Sequence, residues 1–123
     1  MTTLRIRRRG GAGKYEIWAR CRDPQRWPDW APLVRAVHTD GPLRPGQQGE
    51  VVAVLGITAR FEVLDVDEAR GRWTWVVRTG PVRLRIEHEI DEGTAGLTIT
   101  GPAAAVVAYV PLARAALGRL VTR

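Results

Sequence analysis

Few side chains in this sequence can do chemistry, and His88 is placed best. Val82, Leu84, Ile86, His88 and Ile90 alternate with Arg83, Arg85, Glu87 and Glu89, so on an extended strand the imidazole joins an otherwise aliphatic face. Imidazole titrates near pH 6.5, where acid/base work at neutral pH is possible, and burial lowers that value. A proton transfer to a bound molecule is one reading; a neutral core histidine hydrogen-bonded to a neighbour is the other. His38 precedes the Asp40-Gly41-Pro42 turn and is expected at the surface. Asp65 is in phase with Phe61 and Val63 on an inner face, although solvent contact near a strand end is the simpler expectation. Arg60 and Arg78 alternate onto polar faces.

Other chemistries fail on inspection. Cys21 is the single cysteine, so an internal disulfide is excluded, and without a partner base in view it reads as a small helix residue. Gly13-Lys14 is followed by Tyr15 rather than Ser or Thr, which excludes a phosphate loop, and no Gly-x-Ser-x-Gly elbow occurs. Two distant histidines and one cysteine give no transition-metal spacing. No cofactor or metal is expected.

The elements that must position His88 follow from periodicity and turn residues. Thr2 to Arg9 alternates as a half-buried strand and ends at Gly10, Gly11 and Gly13. Lys14 to Arg22 has helical spacing, and Asp23-Pro24 starts a second short helix to Trp30, with Trp27 and Trp30 on one face. Strands are then expected near Val34–Thr39, Gly49–Leu55, Thr58–Val66, Arg72–Arg78, Val82–Ile90 and Gly96–Thr100. From about Ala103 to Arg123 an apolar stripe of Ala113, Ala116, Leu117 and Leu120, with Arg114 and Arg119 outside it, predicts a closing helix containing Pro111. No repeat or linker interrupts the chain, so residues 1–123 read as one α+β domain.

Composition bounds the partners. The chain has 123 residues, 45% hydrophobic and 26% charged, which is ordinary for a globular domain. The apolar stretch Pro102–Ala113 is shorter than the ~20 residues needed to cross a bilayer, so no membrane partner is expected. The basic start lacks an apolar h-region, and a cytoplasmic location is the default. The net charge of +6 comes almost entirely from arginine, scattered except for Arg7–Arg9. Nucleic acid is therefore not an expected partner.

The spacing Trp18-x8-Trp27-Pro28-Asp29-Trp30-x-Pro32, with Asp23, resembles the opening of the SRPBCC (START or Bet v 1-like) superfamily, in particular its polyketide cyclase/dehydrase branch. Gly49, Phe61-x-Val63, Arg72-Trp73-Thr74-Trp75, Gly80, His88 and Gly93-Thr94 follow that branch's strand landmarks. The resemblance covers nearly the whole chain and implies a helix-grip fold: a curved antiparallel sheet of six to seven strands around a C-terminal helix, enclosing an apolar cavity. It implies ligand contacts from Trp27, Trp30, Phe61, Trp75, Leu84, Ile86, His88, Leu97 and Tyr109, with His88 as the catalytic candidate. Those apolar residues suit plain core packing equally well.

Two functions stay open on this reading. One is a cyclase or dehydrase that holds a polyketide-derived molecule while His88 moves a proton. The other is a binding or carrier protein without chemistry. The inward arginine that resembling cyclases use to stabilise enolates has no counterpart here, which weakens the catalytic reading. Gly10–Lys14 also replaces an Ala-Pro-rich link, and the closing helix stops about two turns early. The inner sheet is then expected to lack part of its cover, to be supplied by a symmetric homodimer or a bound ligand.

Overall fold

A computed structural model describes residues 1–123. Alternating and β-branched segments become seven strands: β1 (Thr2–Arg9), β2 (Val34–His38), β3 (Gln48–Ala53), β4 (Thr58–Asp67), β5 (Arg72–Thr79), β6 (Val82–Asp91) and β7 (Thr94–Gly101). They form one antiparallel sheet in the order β1-β7-β6-β5-β4-β3-β2. Two helices, α1 (Lys14–Arg22) and α2 (Trp27–Trp30), follow β1, and α3 (Ala103–Leu120) closes the chain. α3 lies across β1 and β7 and touches β6 and α2. This is the helix-grip arrangement expected from the sequence.

The expected second helix is split. Pro24–Arg26 forms a 3-10 turn, capped where the Asp23 carboxylate accepts from the Gln25 backbone N–H at 3.0 Å, and only Trp27–Trp30 is α-helical. Pro28 lacks an N–H and Pro32 disfavours helical geometry at Ala31, so one turn is all that survives. α3 keeps its stripe, with Val106, Ala113, Leu117 and Leu120 buried. Its C-terminus is held by Arg20 of α1, whose guanidinium donates to the carbonyls of Leu120 (2.7 Å) and Thr122 (2.6 Å) and to Glu16 (2.7 Å). A cation on the last carbonyls of a helix satisfies acceptors that have no intrahelical partner.

Two positions explain the shape of the sheet. Gly49 has Phe61 directly opposite, and a Cβ there would come within 2.6 Å of both the Phe61 ring and the His38 carbonyl. Glycine therefore lets that ring lie across β3. In β4 the register slips between Val63 and Asp65, leaving Leu64 as an extra residue against β5. The bulge reverses the alternation, so Val63 and Val66 face inward while Asp65, opposite Thr74, turns out and is exposed. The inner-face position that simple alternation allows Asp65 is thus corrected.

The inner face is covered within one chain. Phe61, Val63, Ile86, Leu97 and Ile99 are all buried. The uncovered inner sheet that would call for a second subunit is absent, although α3 is less protected on its outer side. Pro102–Ala113 carries no charge, and Val107 is 60% exposed.

Candidate functional site

The concave face gathers its aromatic residues around Trp27. This residue reaches from α2 onto the sheet, with its ring 5.6 Å from Phe61, 5.7 Å from Trp73 and 5.1 Å from Trp75. Phe61 and Trp75 are 5.3 Å apart and Trp73 and Trp75 5.4 Å apart, so the rings pack as one cluster of tilted and stacked pairs. His88 sits opposite Trp73 in the β5–β6 register, and its imidazole stacks on that indole at 3.7 Å with an interplanar angle of 6°.

The tryptophans divide by what their N–H groups do. Trp27 donates to the Cys21 carbonyl at 2.8 Å and Trp30 to the Arg20 carbonyl at 3.1 Å, tying α2 to α1. The indole N–H groups of Trp73 and Trp75 and Nδ1 of His88 are buried without a well-formed hydrogen bond, the Trp73 indole having only the weakly accepting Cys21 sulfur as a neighbour. A buried donor without a partner costs roughly 1–3 kcal/mol. Three such atoms on one concave face mark a place where a polar group of a bound molecule or a water would be stabilised.

Electrostatics fix the state of the imidazole. Burial lowers the His88 pKa to about 3, only partly opposed by the Trp73 backbone. At neutral pH it is an uncharged ring that can donate from one nitrogen and accept at the other. Tyr109, half-buried on α3, has its phenol pushed up to about 12 by burial. Burial also pushes the Cys21 thiol up to about 12, against a smaller opposing effect from Trp73 and Arg20. It is not a thiolate nucleophile.

The structure brings Trp27, Phe61, Trp75 and His88 together, with Leu84, Ile86 and Leu97 buried on the same face and Tyr109 against them from α3. Trp30 is buried too, but its indole is spent on α1. Trp73 belongs at the centre although the sequence reading left it among the strand landmarks. Its position two residues before Trp75, on the same face of β5, was the available signal.

The aromatic rings pack closely between α2 and the sheet. The larger clefts open elsewhere. One of about 480 Å³ lies on the outer face of β3–β5 beside Glu50, Arg60, Glu62 and Arg78. A second, of about 440 Å³, lies along the β4 bulge beside Asp65, Asp67, Thr74 and Glu87 and is also lined by Trp73 and His88. A third, of about 500 Å³, lies between α1 and the turn after β2. The nitrogens of Trp73, Trp75 and His88 are themselves buried.

A curved seven-stranded antiparallel sheet gripping a C-terminal helix, with two short helices after the first strand, places the molecule in the SRPBCC superfamily. Within it, the chain belongs to the family described as polyketide cyclase / dehydrase and lipid transport, whose model matches residues 12–123. Solved structures share the fold. DynU16, described as a protein of the dynemicin biosynthetic locus, is 20% identical over 97% of this chain, with a TM-score of 0.77. This chain spans 45% of DynU16's length. A protein from Nitrosospira multiformis is 13% identical, covering 98% of this chain and 94% of that one, with a TM-score of 0.76. Ara h 8.0201 is 14% identical over 98% of this chain and 95% of its own, with a TM-score of 0.73. No curated protein sequence matches the chain.

Proposed function

We propose that this protein binds an apolar, polyketide-like small molecule on the concave face and reads one of its carbonyl or hydroxyl groups through Trp73, Trp75 and His88. The observation that carries this reading is the set of three buried polar atoms without well-formed hydrogen bonds. A ligand oxygen has the chemistry to accept from the indoles, and burial of the remaining apolar skeleton supplies about 25 cal/mol per Å². The aromatic cluster must part to admit the molecule, with Trp27 moving most because it stands on a one-turn helix.

Within this reading the protein promotes ring closure or water loss by holding one reactive conformer, an effect worth several kcal/mol. His88 serves as a neutral hydrogen-bond partner or weak base, because a ring with a pKa of about 3 is not charged at pH 7 and cannot act as an imidazolium acid. That low value also favours the second reading, a carrier without chemistry. Two measurements separate these outcomes. First, 2-acetylnaphthalene should bind about five- to tenfold more tightly than 2-ethylnaphthalene, as one added hydrogen bond requires. Equal affinity would remove the polar role of the site. Second, a poly-β-ketone thioester should cyclise faster with the protein, and His88→Ala should slow it. Unchanged product distribution with bound ligand returned intact would establish the carrier.

A further inference from the structure

One end of the sheet carries apolar side chains where a soluble surface normally has polar ones. The β3–β4 connection, the β5–β6 turn, the start of α3 and the loop before β2 all lie at this end. Leu55 is 93% exposed and Ile57 53%, and Leu33 and Val107, exposed as well, stand in the loop before β2 and near the start of α3 at this end. Leu55 also holds a left-handed backbone with φ of 63°, a conformation that glycine or asparagine adopts far more readily. A leucine presented to solvent on strained backbone is costly twice over, and solubility alone would not select it.

Charge defines what meets this tip. Arg60, Arg78 and Arg83 stand directly opposite one another on β4, β5 and β6, on the outer face. Like charges in direct cross-strand register repel. Glu50 is the carboxylate next in that row and Glu62 lies two residues along from Arg60 on the same face, yet none of the chain's four ion pairs includes any of the three arginines. Asp65, Asp67, Glu87, Glu89, Asp91 and Glu92 gather toward the opposite end. Arg60 lies three residues beyond Ile57, about 10 Å along the strand. That offset puts the guanidinium row at headgroup depth when the apolar tip enters the acyl boundary by roughly 5–10 Å.

We propose that this tip, formed by Leu33, Leu55, Ile57 and Val107 under the row Arg60, Arg78 and Arg83, docks on an anionic lipid bilayer. The apolar residues supply insertion and the arginines exchange mutual repulsion for phosphate contacts. This is attachment to the surface and does not use α3 as a span, although that 18-residue helix is long and apolar enough to cross a bilayer by length and composition alone. It stands independently of whether the concave face holds a ligand.

Co-sedimentation of the ligand-free protein with vesicles tests it. The protein should partition onto 70:30 phosphatidylcholine:phosphatidylserine vesicles at 100 mM salt at least tenfold more than onto pure phosphatidylcholine. Leu55→Asn with Ile57→Ser should reduce partitioning at least tenfold without lowering the thermal midpoint, since asparagine tolerates the left-handed backbone. Arg60→Gln, Arg78→Gln and Arg83→Gln together should have the same effect on partitioning. Arg7→Gln with Arg9→Gln, at the opposite end, should leave it within twofold. Absent or equal partitioning on the two vesicles, or an equal loss from the Arg7 and Arg9 variant, would overturn the proposal. A dimer abolished by the Leu55 and Ile57 variant would also overturn it and give the tip to a second copy of the chain.

Discussion

The buried His88 makes stability depend on pH in a way that a single substitution can isolate. Its pKa is about 3 in the folded protein, with burial as the main cause, against an ordinary 6.5. The unfolded chain therefore binds more protons than the folded one between those values, and stability rises with pH across that window. The His88 contribution is fully retained above pH 6.5 and is lost as the pH falls toward 3. One pKa unit corresponds to about 1.4 kcal/mol, so the shift of about 3.5 units amounts to roughly 5 kcal/mol at its full extent. Between pH 7 and pH 5 the expected loss is about 2 kcal/mol. His88→Phe keeps an aromatic ring against Trp73 and removes the titration. Urea unfolding from pH 5 to pH 8 should show the wild-type midpoint falling at acid pH, with a slope difference between the two proteins of about 1 kcal/mol per pH unit between pH 5 and pH 7 and little above pH 7. Parallel curves, or a histidine signal titrating near pH 6.5 in the folded protein, would refute the burial argument.

Other consequences follow from particular contacts. Arg20→Ala removes the donor set holding the end of α3 and should cost about 1.5–3 kcal/mol, read as a lower thermal midpoint with a smaller loss for Arg20→Lys. Gly49→Ala forces a methyl into the Phe61 ring and the His38 carbonyl and should cost at least ~1–3 kcal/mol in chemical denaturation. Cys21, fully buried with its thiol at about 12, should resist an aromatic disulfide reagent in the native state and react at once in denaturant.

Much of the frame was legible because period-2 patterning has few solutions. In β6 four apolar positions alternating around His88 set its inward direction, and the structure buries Leu84, Ile86, His88 and Ile90 accordingly. The bulge at Leu64 was not legible, since neither glycine nor proline marks it and the slip shows only in the pairing of β4 with β5. The direction of the His88 shift could be read from its neighbours, but its extent depends on how completely the fold buries the ring. The close packing of the aromatic rings was likewise beyond one-dimensional reasoning. Where Trp27 comes to rest depends on the turn through Pro24 and Pro28 and on its hydrogen bond to Cys21. Trp73 and Trp75 lie on the same face of β5, so alternation alone does not tell which of them meets His88.

The indole N–H signals measure the central claim most directly. In a ¹H–¹⁵N spectrum of the protein titrated with 2-acetylnaphthalene, the Nε1–H resonances of Trp73 and Trp75, assigned by Trp→Phe variants, should shift downfield as they gain an acceptor. Those of Trp27 and Trp30, already bonded to Cys21 and Arg20, should shift less, and 2-ethylnaphthalene should not produce the downfield change. Binding that leaves Trp73 and Trp75 unmoved, or perturbs only residues of the outer clefts, would contradict the account.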